Sequence, residues 1–177
     1  AEDESGTSVC MPDGNTIAIG AYLNDGSSLN IGHVRIYSWN GSEWLQKGED
    51  IDGEADQDRL GWSLDMPDNN TIAIGAYLND GSEINSGHVR IYNWNGSAWI
   101  QKGADIDGEA ADDRSGWSVS MPDANTVAIG AYQNGGNGND AGHVRIYVWN
   151  EVAWIQKGGD IDGEVAEDLS GHAVSMP

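Results

Sequence analysis

Positive charge is scarce in this chain: 8 Lys and Arg stand against 29 Asp and Glu, for a formal charge of -21. Such a surface repels polyanions, which excludes nucleic acid as a partner, and it repels an anionic membrane unless a divalent cation bridges the two. It also suits a salty habitat, where screening cuts the reach of self-repulsion to about 8 Å or less. Cysteine is nearly absent. Cys10 stands alone, so no internal disulfide can form, and Asp65, Ser120 and Ser175 at the same place in the repeat mark it as a tolerated substitution, not a reactive thiol. Long apolar runs are missing too, which excludes membrane insertion through a helix. The opening Ala1-Glu2-Asp3-Glu4-Ser5 is acidic, so any export signal is expected to have been removed or never to have been there. Helical periodicity appears nowhere.

What the chain does have is repetition. Met11, Met66, Met121 and Met176 recur at intervals of 55 residues, and Met11 to Tyr22 returns as Met66 to Tyr77 and Met121 to Tyr132. A period of this size indicates a solenoid, propeller or array. The copies span 1–55, 56–110 and 111–165, and 166–177 encodes the first strand once more, so the whole of 1–177 is one repeat array.

In the second copy, Gly61 to Met66 alternates apolar and polar side chains and predicts strand a, closed by a turn over Pro67 to Asn70. Thr71 to Ala76 predicts strand b, with Ile72 and Ile74 on one face and Ala73 and Gly75 on the other. His88 to Trp94 predicts strand c, and Asn95-Gly96 is a strong hairpin signal leading into strand d at Ala98 to Lys102. Four short strands joined by tight connections make an antiparallel meander, the blade of a β-propeller. The bulky face of one blade can then lie on the small-residue face of its neighbour.

Ser115-Gly116-Trp117-Ser118-Val119, Val127-Ala128-Ile129-Gly130-Ala131 and Gly142-His143-Val144-Arg145-Ile146-Tyr147, with their counterparts in the other copies, resemble the FG-GAP repeat of integrin-type β-propellers. The phenylalanine of that family is replaced by Ser5, Leu60, Ser115 and Ser170, and its later proline by Tyr22, Tyr77 and Tyr132. Where the family often carries an Asp-rich calcium loop between strands a and b, this chain has only Met-Pro-Asp-x-Asn, so that site is not carried over.

The acid is concentrated elsewhere. A meander places the d-to-a and b-to-c connections on one side, and the d-to-a connections carry Asp50, Asp52 and Glu54, then Asp105, Asp107 and Glu109, then Asp160, Asp162 and Glu164. Asp-x-Asp-Gly-Glu supplies oxygens at alternate positions with a glycine for the turn, the ingredients of a Ca2+ loop, though too short for the EF-hand pattern. The alternative is that Asp50, Asp105 and Asp160 hold backbone N-H groups at a turn while the other carboxylates are solvated. Tryptophan is the second excess: Trp39 and Trp44, Trp94 and Trp99, Trp149 and Trp154 bracket the c-to-d hairpins. They could stack on sugars, one site per blade, or form cross-strand pairs that stabilise each hairpin. The histidines show no zinc-binding spacing and read as structural.

Every candidate acid, histidine and serine recurs in each copy, whereas a catalytic site needs different groups converging at one place. The expectation is therefore a noncatalytic, extracellular or cell-surface propeller for adhesion or protein contact, with a carbohydrate-binding lectin and a structural segment of a longer repeat protein as alternatives. Three blades are fewer than the four to eight of ordinary propellers, so the ring is expected to be completed by another chain, a homodimer giving six blades, with further blades of a longer array as the alternative.

Overall fold

The computed structural model describes residues 3–27 and 29–177, and every regular element among them is a β-strand. In the first repeat these are β1 (Ser8–Asp13), β2 (Thr16–Ala21), β3 (His33–Trp39), β4 (Trp44–Gln46) and β5 (Ile51–Asp52). The second repeat gives β6 (Ser63–Asp68), β7 (Thr71–Ala76), β8 (His88–Trp94), β9 (Trp99–Gln101) and β10 (Ile106–Asp107). The third gives β11 (Ser118–Asp123), β12 (Thr126–Ala131), β13 (His143–Trp149), β14 (Trp154–Gln156) and β15 (Ile161–Asp162). Each repeat is one antiparallel sheet in which the first three strands pair in sequence and the last two both pair with the third.

Strands b and c form as predicted, and strands a and d differ in instructive ways. Strand a of the second repeat runs to Asp68, because the ladder breaks register between Asp65 and Asp68. Pro67 falls at that irregularity, where no N-H is required of it. Strand d comes in two pieces on the same edge: β4 pairs with the far end of β3, and β5 pairs with its start through His33 to Asp52 and Val34 to Ile51. The acidic connection therefore begins inside the sheet. Ile51 and Ile106 are buried there, and their flanking aspartates alternate to the opposite face.

Neighbouring sheets stack bulky face on small face. The first core joins Ala18, Val34, Ile36 and Ile51 of blade 1 to Met66, Ile72 and Ile74 of blade 2, and the second joins Ala73, Val89, Ile91 and Ile106 of blade 2 to Met121, Val127 and Ile129 of blade 3. Each isoleucine wholly removed from water contributes roughly 1.5–3 kcal/mol, which an isolated sheet could not collect on both faces. At the inner edge the backbones touch. A Cβ on Gly20, Gly75 or Gly130 would lie 2.2, 2.1 or 2.0 Å from the carbonyl oxygen of Gly61, Gly116 or Gly171 in the next repeat, so the approach requires glycine. Ser8, Ser63 and Ser118 donate Oγ to those same carbonyls at 2.6–2.7 Å. Residues 171–177 lie against blade 3 in the position of a further strand a, with the Met176 N-H donating to Ser120 Oγ at 3.0 Å as the Met121 N-H does to Asp65 Oδ2 at 2.7 Å.

Candidate functional site

The b-to-c and d-to-a connections share one face and hydrogen-bond to each other: Gly53 N to Gly32 O at 3.0 Å, Gln57 N to Leu29 O at 2.8 Å, and the equivalents in later repeats. One aspartate in each d-to-a loop serves the loop itself. Asp58 accepts from the Glu54 and Ala55 N-H groups, Asp113 from Ala110 N and Asn134 Nδ2, and Asp168 from Glu164 N and Val165 N. This is the turn-holding role considered for the other aspartates, carried by different residues.

Asp50, Asp105 and Asp160 instead meet arginine. Residues two apart on strand c share a face, so His88 and Arg90 both point at the acid beside β10. Arg90 binds Asp105 with Nε to Oδ1 at 3.1 Å and Nη2 to Oδ2 at 3.0 Å, and Gln101 Nε2 donates to the same carboxylate at 2.5 Å. Glu54, reaching across from the preceding repeat, also contacts Arg90 Nη2. Blade 3 repeats the arrangement, with Arg145 on Asp160 at 2.7–2.8 Å and on Glu109 at 2.5 Å. Blade 1 has the Arg35 and Asp50 pair at 2.7–2.9 Å, and no glutamate on Arg35 among the described residues.

The electrostatics follow. The Arg35 and Gln46 hydrogen bonds hold the Asp50 carboxyl below its ordinary range against a smaller opposing effect of burial. Burial acts most strongly on Asp105 and pushes it upward, but the Arg90 and Gln101 bonds, with the positive charge of Arg90, bring it below its ordinary range. The Arg145 bond leads in bringing Asp160 down to about 2. Burial, above all, pushes His33, His88 and His143 below the ordinary histidine value, so each is neutral near pH 7. The Nδ1 atoms of His88 and His143 are buried without a hydrogen-bond partner, 3.6 and 3.8 Å from Asp105 and Asp160.

The structure thus gathers a histidine with two carboxylates in each repeat: His33, Asp50 and Asp52; Glu54, His88 and Asp105; Glu109, His143 and Asp160, with one ligand atom from each within 4.8 Å of the others. The histidines were not legible as part of this cluster. As arranged, each triple offers three donor atoms, one of them nitrogen, whereas calcium takes six to eight oxygens. In blades 2 and 3 a guanidinium touches both carboxylates and supplies the positive charge. Asp107 lies beside its cluster, 4.0 Å from His88 Nδ1; Asp162 pairs in register with His143; Glu164 is exposed.

The tryptophans pair across each hairpin as the ladder register demands, with ring centroids 5.6 Å apart for Trp39 and Trp44, and 5.5 Å apart for Trp94 and Trp99 and for Trp149 and Trp154. Two of these pairs also hold a lysine from the preceding blade. Lys47 Nζ sits 5.3 and 5.2 Å from the Trp94 and Trp99 rings, and Lys102 does the same at Trp149 and Trp154. Each ammonium then donates to the next a-to-b turn, Lys47 to Asn70 Oδ1 at 2.9 Å and Lys102 to Ala124 O and Asn125 Oδ1 at 2.6 and 2.7 Å. The indoles of Trp99 and Trp154 return hydrogen bonds to the Lys47 and Lys102 carbonyls at 2.7 and 2.8 Å. Gly48 and Gly103, at φ +85° and +82°, let the chain turn against these rings. The sequence signal for this clamp was the 55-residue recurrence of Lys47, Lys102 and Lys157, which periodicity alone did not connect to tryptophan. A further aromatic ladder, Tyr22, Trp62, Tyr77, Trp117, Tyr132 and His172, runs between blades with centroid spacings of 4.4–5.5 Å.

Residues 105–147, from the end of the second repeat through most of β13, match the family described as FG-GAP repeat. No curated protein matches the chain. The match and the three blade-like sheets identify a β-propeller repeat module.

Proposed function

We propose that this module is noncatalytic and acts outside the cell or at its surface, making contacts between protein chains and associating with copies of itself. The observation that carries this reading is that the polar cluster and the tryptophan pair recur at the same place in every blade, and that in blades 2 and 3 they are joined to the preceding blade. Glu54 and Lys47 each cross from blade 1 to blade 2. Groups arranged this way join sheets together, whereas acid-base or nucleophilic chemistry draws unlike groups to a single centre. An aggregation assay tests the reading: beads coated with the chain clump, and excess soluble chain disperses them. Beads that stay separate at every coating density sink it. Repeating the assay with calcium and then with a chelator examines the metal arm, for which a bound cation must displace guanidinium from Asp50, Asp105 or Asp160.

A lectin is the second reading, favoured by one feature. Trp39 and Trp44 carry no lysine among the described residues and are exposed, leaving an open aromatic pair of the kind that stacks on sugar rings. The pairs in blades 2 and 3 are engaged by lysine, so a glycan site belongs to blade 1. A glycan array in which Trp44→Ala abolishes a wild-type signal would establish it.

A further inference from the structure

Two imidazole nitrogens have no hydrogen bond in the fold. The side chains of His88 and His143 are 1% and 3% exposed, and the Nδ1 of each is buried with no partner among the described residues. A buried polar atom in that state calls for an explanation. Both point at carboxylates without bonding to them: His88 Nδ1 lies 3.6 Å from Asp105 Oδ2 and 4.0 Å from Asp107 Oδ1, and His143 Nδ1 lies 3.8 Å from Asp160 Oδ2. Hydrogen bonds between nitrogen and oxygen extend to about 3.2 Å. Two ligands of one four-coordinate zinc ion, each about 2.1 Å from the metal, stand roughly 3.4 Å apart. The gaps are too wide for a shared proton and close to the width that a cation spans.

A carboxylate from the neighbouring repeat joins each group. Glu54 of blade 1 offers an oxygen within 4.8 Å of the His88 and Asp105 ligand atoms, and Glu109 of blade 2 does the same for His143 and Asp160. Asp107 and Asp162 stand opposite the two histidines in the strand ladder. Charge agrees with distance. Asp105, Asp107 and Glu54 surround one guanidinium, that of Arg90, which leaves two negative charges for a divalent ion to cancel. Asp160, Asp162, Glu109 and Arg145 repeat the count. The aspartates are also held in place from behind: Arg90 Nε and Gln101 Nε2 donate to Asp105 Oδ1, and Arg145 Nε and Gln156 Nε2 donate to Asp160 Oδ1. Each carboxylate is thus oriented through one oxygen and turns the other toward histidine.

We propose that each group is a site for a zinc-class divalent cation that staples adjacent blades. At one junction the ligands are His88 Nδ1, Asp105 Oδ2, Asp107 and Glu54; at the next they are His143 Nδ1, Asp160 Oδ2, Asp162 and Glu109. One imidazole nitrogen with three carboxylate oxygens suits a borderline ion in a tetrahedral shell and is too small a set for calcium. The ion displaces the arginine Nη2 from Oδ2 and from glutamate, while Nε keeps its bond to Oδ1. It enters past Glu54 and Asp107, whose side chains are 53% and 43% exposed, and the histidine closes the floor. Because each glutamate belongs to the repeat before its histidine, the bound ion ties one sheet to the next within a single chain.

Cobalt titration of the full chain, dialysed against a chelator, carries the test, with circular dichroism to confirm folding. Co2+ absorbs strongly in the visible when four-coordinate. Wild type is expected to take up at least two Co2+ ions with intense bands that Zn2+ displaces and excess Ca2+ does not. His88→Gln and His143→Gln each remove one equivalent by weakening it about 100-fold or more. Asp107→Asn and Asp162→Asn, at open positions, give the same losses and stand in if a histidine variant fails to fold. Zn2+ raises the Tm of wild type and leaves that of the double histidine variant unchanged. Binding that these variants leave intact places the ions on solvated carboxylates and overturns the site, as does a dialysed wild type that binds no metal or bands that Ca2+ erases. Bound Zn2+ that does not move the wild-type Tm overturns the staple. None of these readings requires association between chains, so they stand or fall separately from the bead assay.

Discussion

Residues 15–27 and 70–82 have the same sequence, yet Ile74 is fully buried against blade 1 while Ile19, its counterpart, looks out from the open face of blade 1. Replacing each with alanine compares one side chain in two settings. Ile74→Ala removes three carbons from a closed core, worth roughly 0.8 kcal/mol each in transfer, and leaves a cavity that a sheet pinned by glycine contacts on its other side cannot fill. The expected cost is about 3–4 kcal/mol, or roughly 10 °C in Tm for a domain of this size. Ile19→Ala has no blade in front of it in the monomer and is expected to cost about 1 kcal/mol or less. Urea unfolding followed by tryptophan fluorescence, at a concentration where light scattering gives a monomer, measures both. Equal costs that persist on further dilution would refute the reasoning that face-on-face stacking between repeats supplies the stability.

Three further outcomes are expected. Trp99→Phe removes the indole bond to the Lys47 carbonyl and weakens the ammonium contact, for about 1–2 kcal/mol of destabilisation, while Trp44→Phe in the monomer costs a few tenths at most; calorimetry distinguishes them. His88 has a folded pKa below its ordinary 6.5, so the unfolded chain takes up the proton first: the stability His88 contributes is complete above about pH 6.5 and declines as pH falls toward the folded value, and in denaturant titrations His88→Gln flattens that slope. Cys10→Ser changes stability by about 0.5 kcal/mol or less, because Ser120 already accepts a methionine N-H at the equivalent place, and burial, which pushes the Cys10 thiol up to about 11, makes it react with thiol reagents at pH 8 far more slowly than a free thiol.

Most of the fold could be read from the sequence because each residue's neighbour lies 55 positions away. Alternation placed Thr71–Ala76 and His88–Trp94 correctly, and the size contrast between Ile72 and Ala73 anticipated which face meets which. Pro67 was taken as a turn because proline usually punctuates, but it stands in a strand at a break in the ladder. The second half of strand d looked like an acidic loop since only one buried residue, Ile51 or Ile106, lies between its aspartates. At the candidate site the carboxylates were conspicuous and their partners were not. Arg35 and Asp50 are 15 residues apart and meet only through the pairing of β3 with β5, and Lys47 finds Trp94 and Trp99 only across two sheets. Pairwise contacts of this sort leave no spacing pattern within one repeat.

Amide hydrogen exchange, followed residue by residue by NMR in β2 and β7, compares two identical hexapeptides with the same intrinsic rates, one on the open blade and one between two others. The stacked-blade account predicts that Thr71–Ala76 exchanges far more slowly than Thr16–Ala21. Equal protection of the two would contradict it.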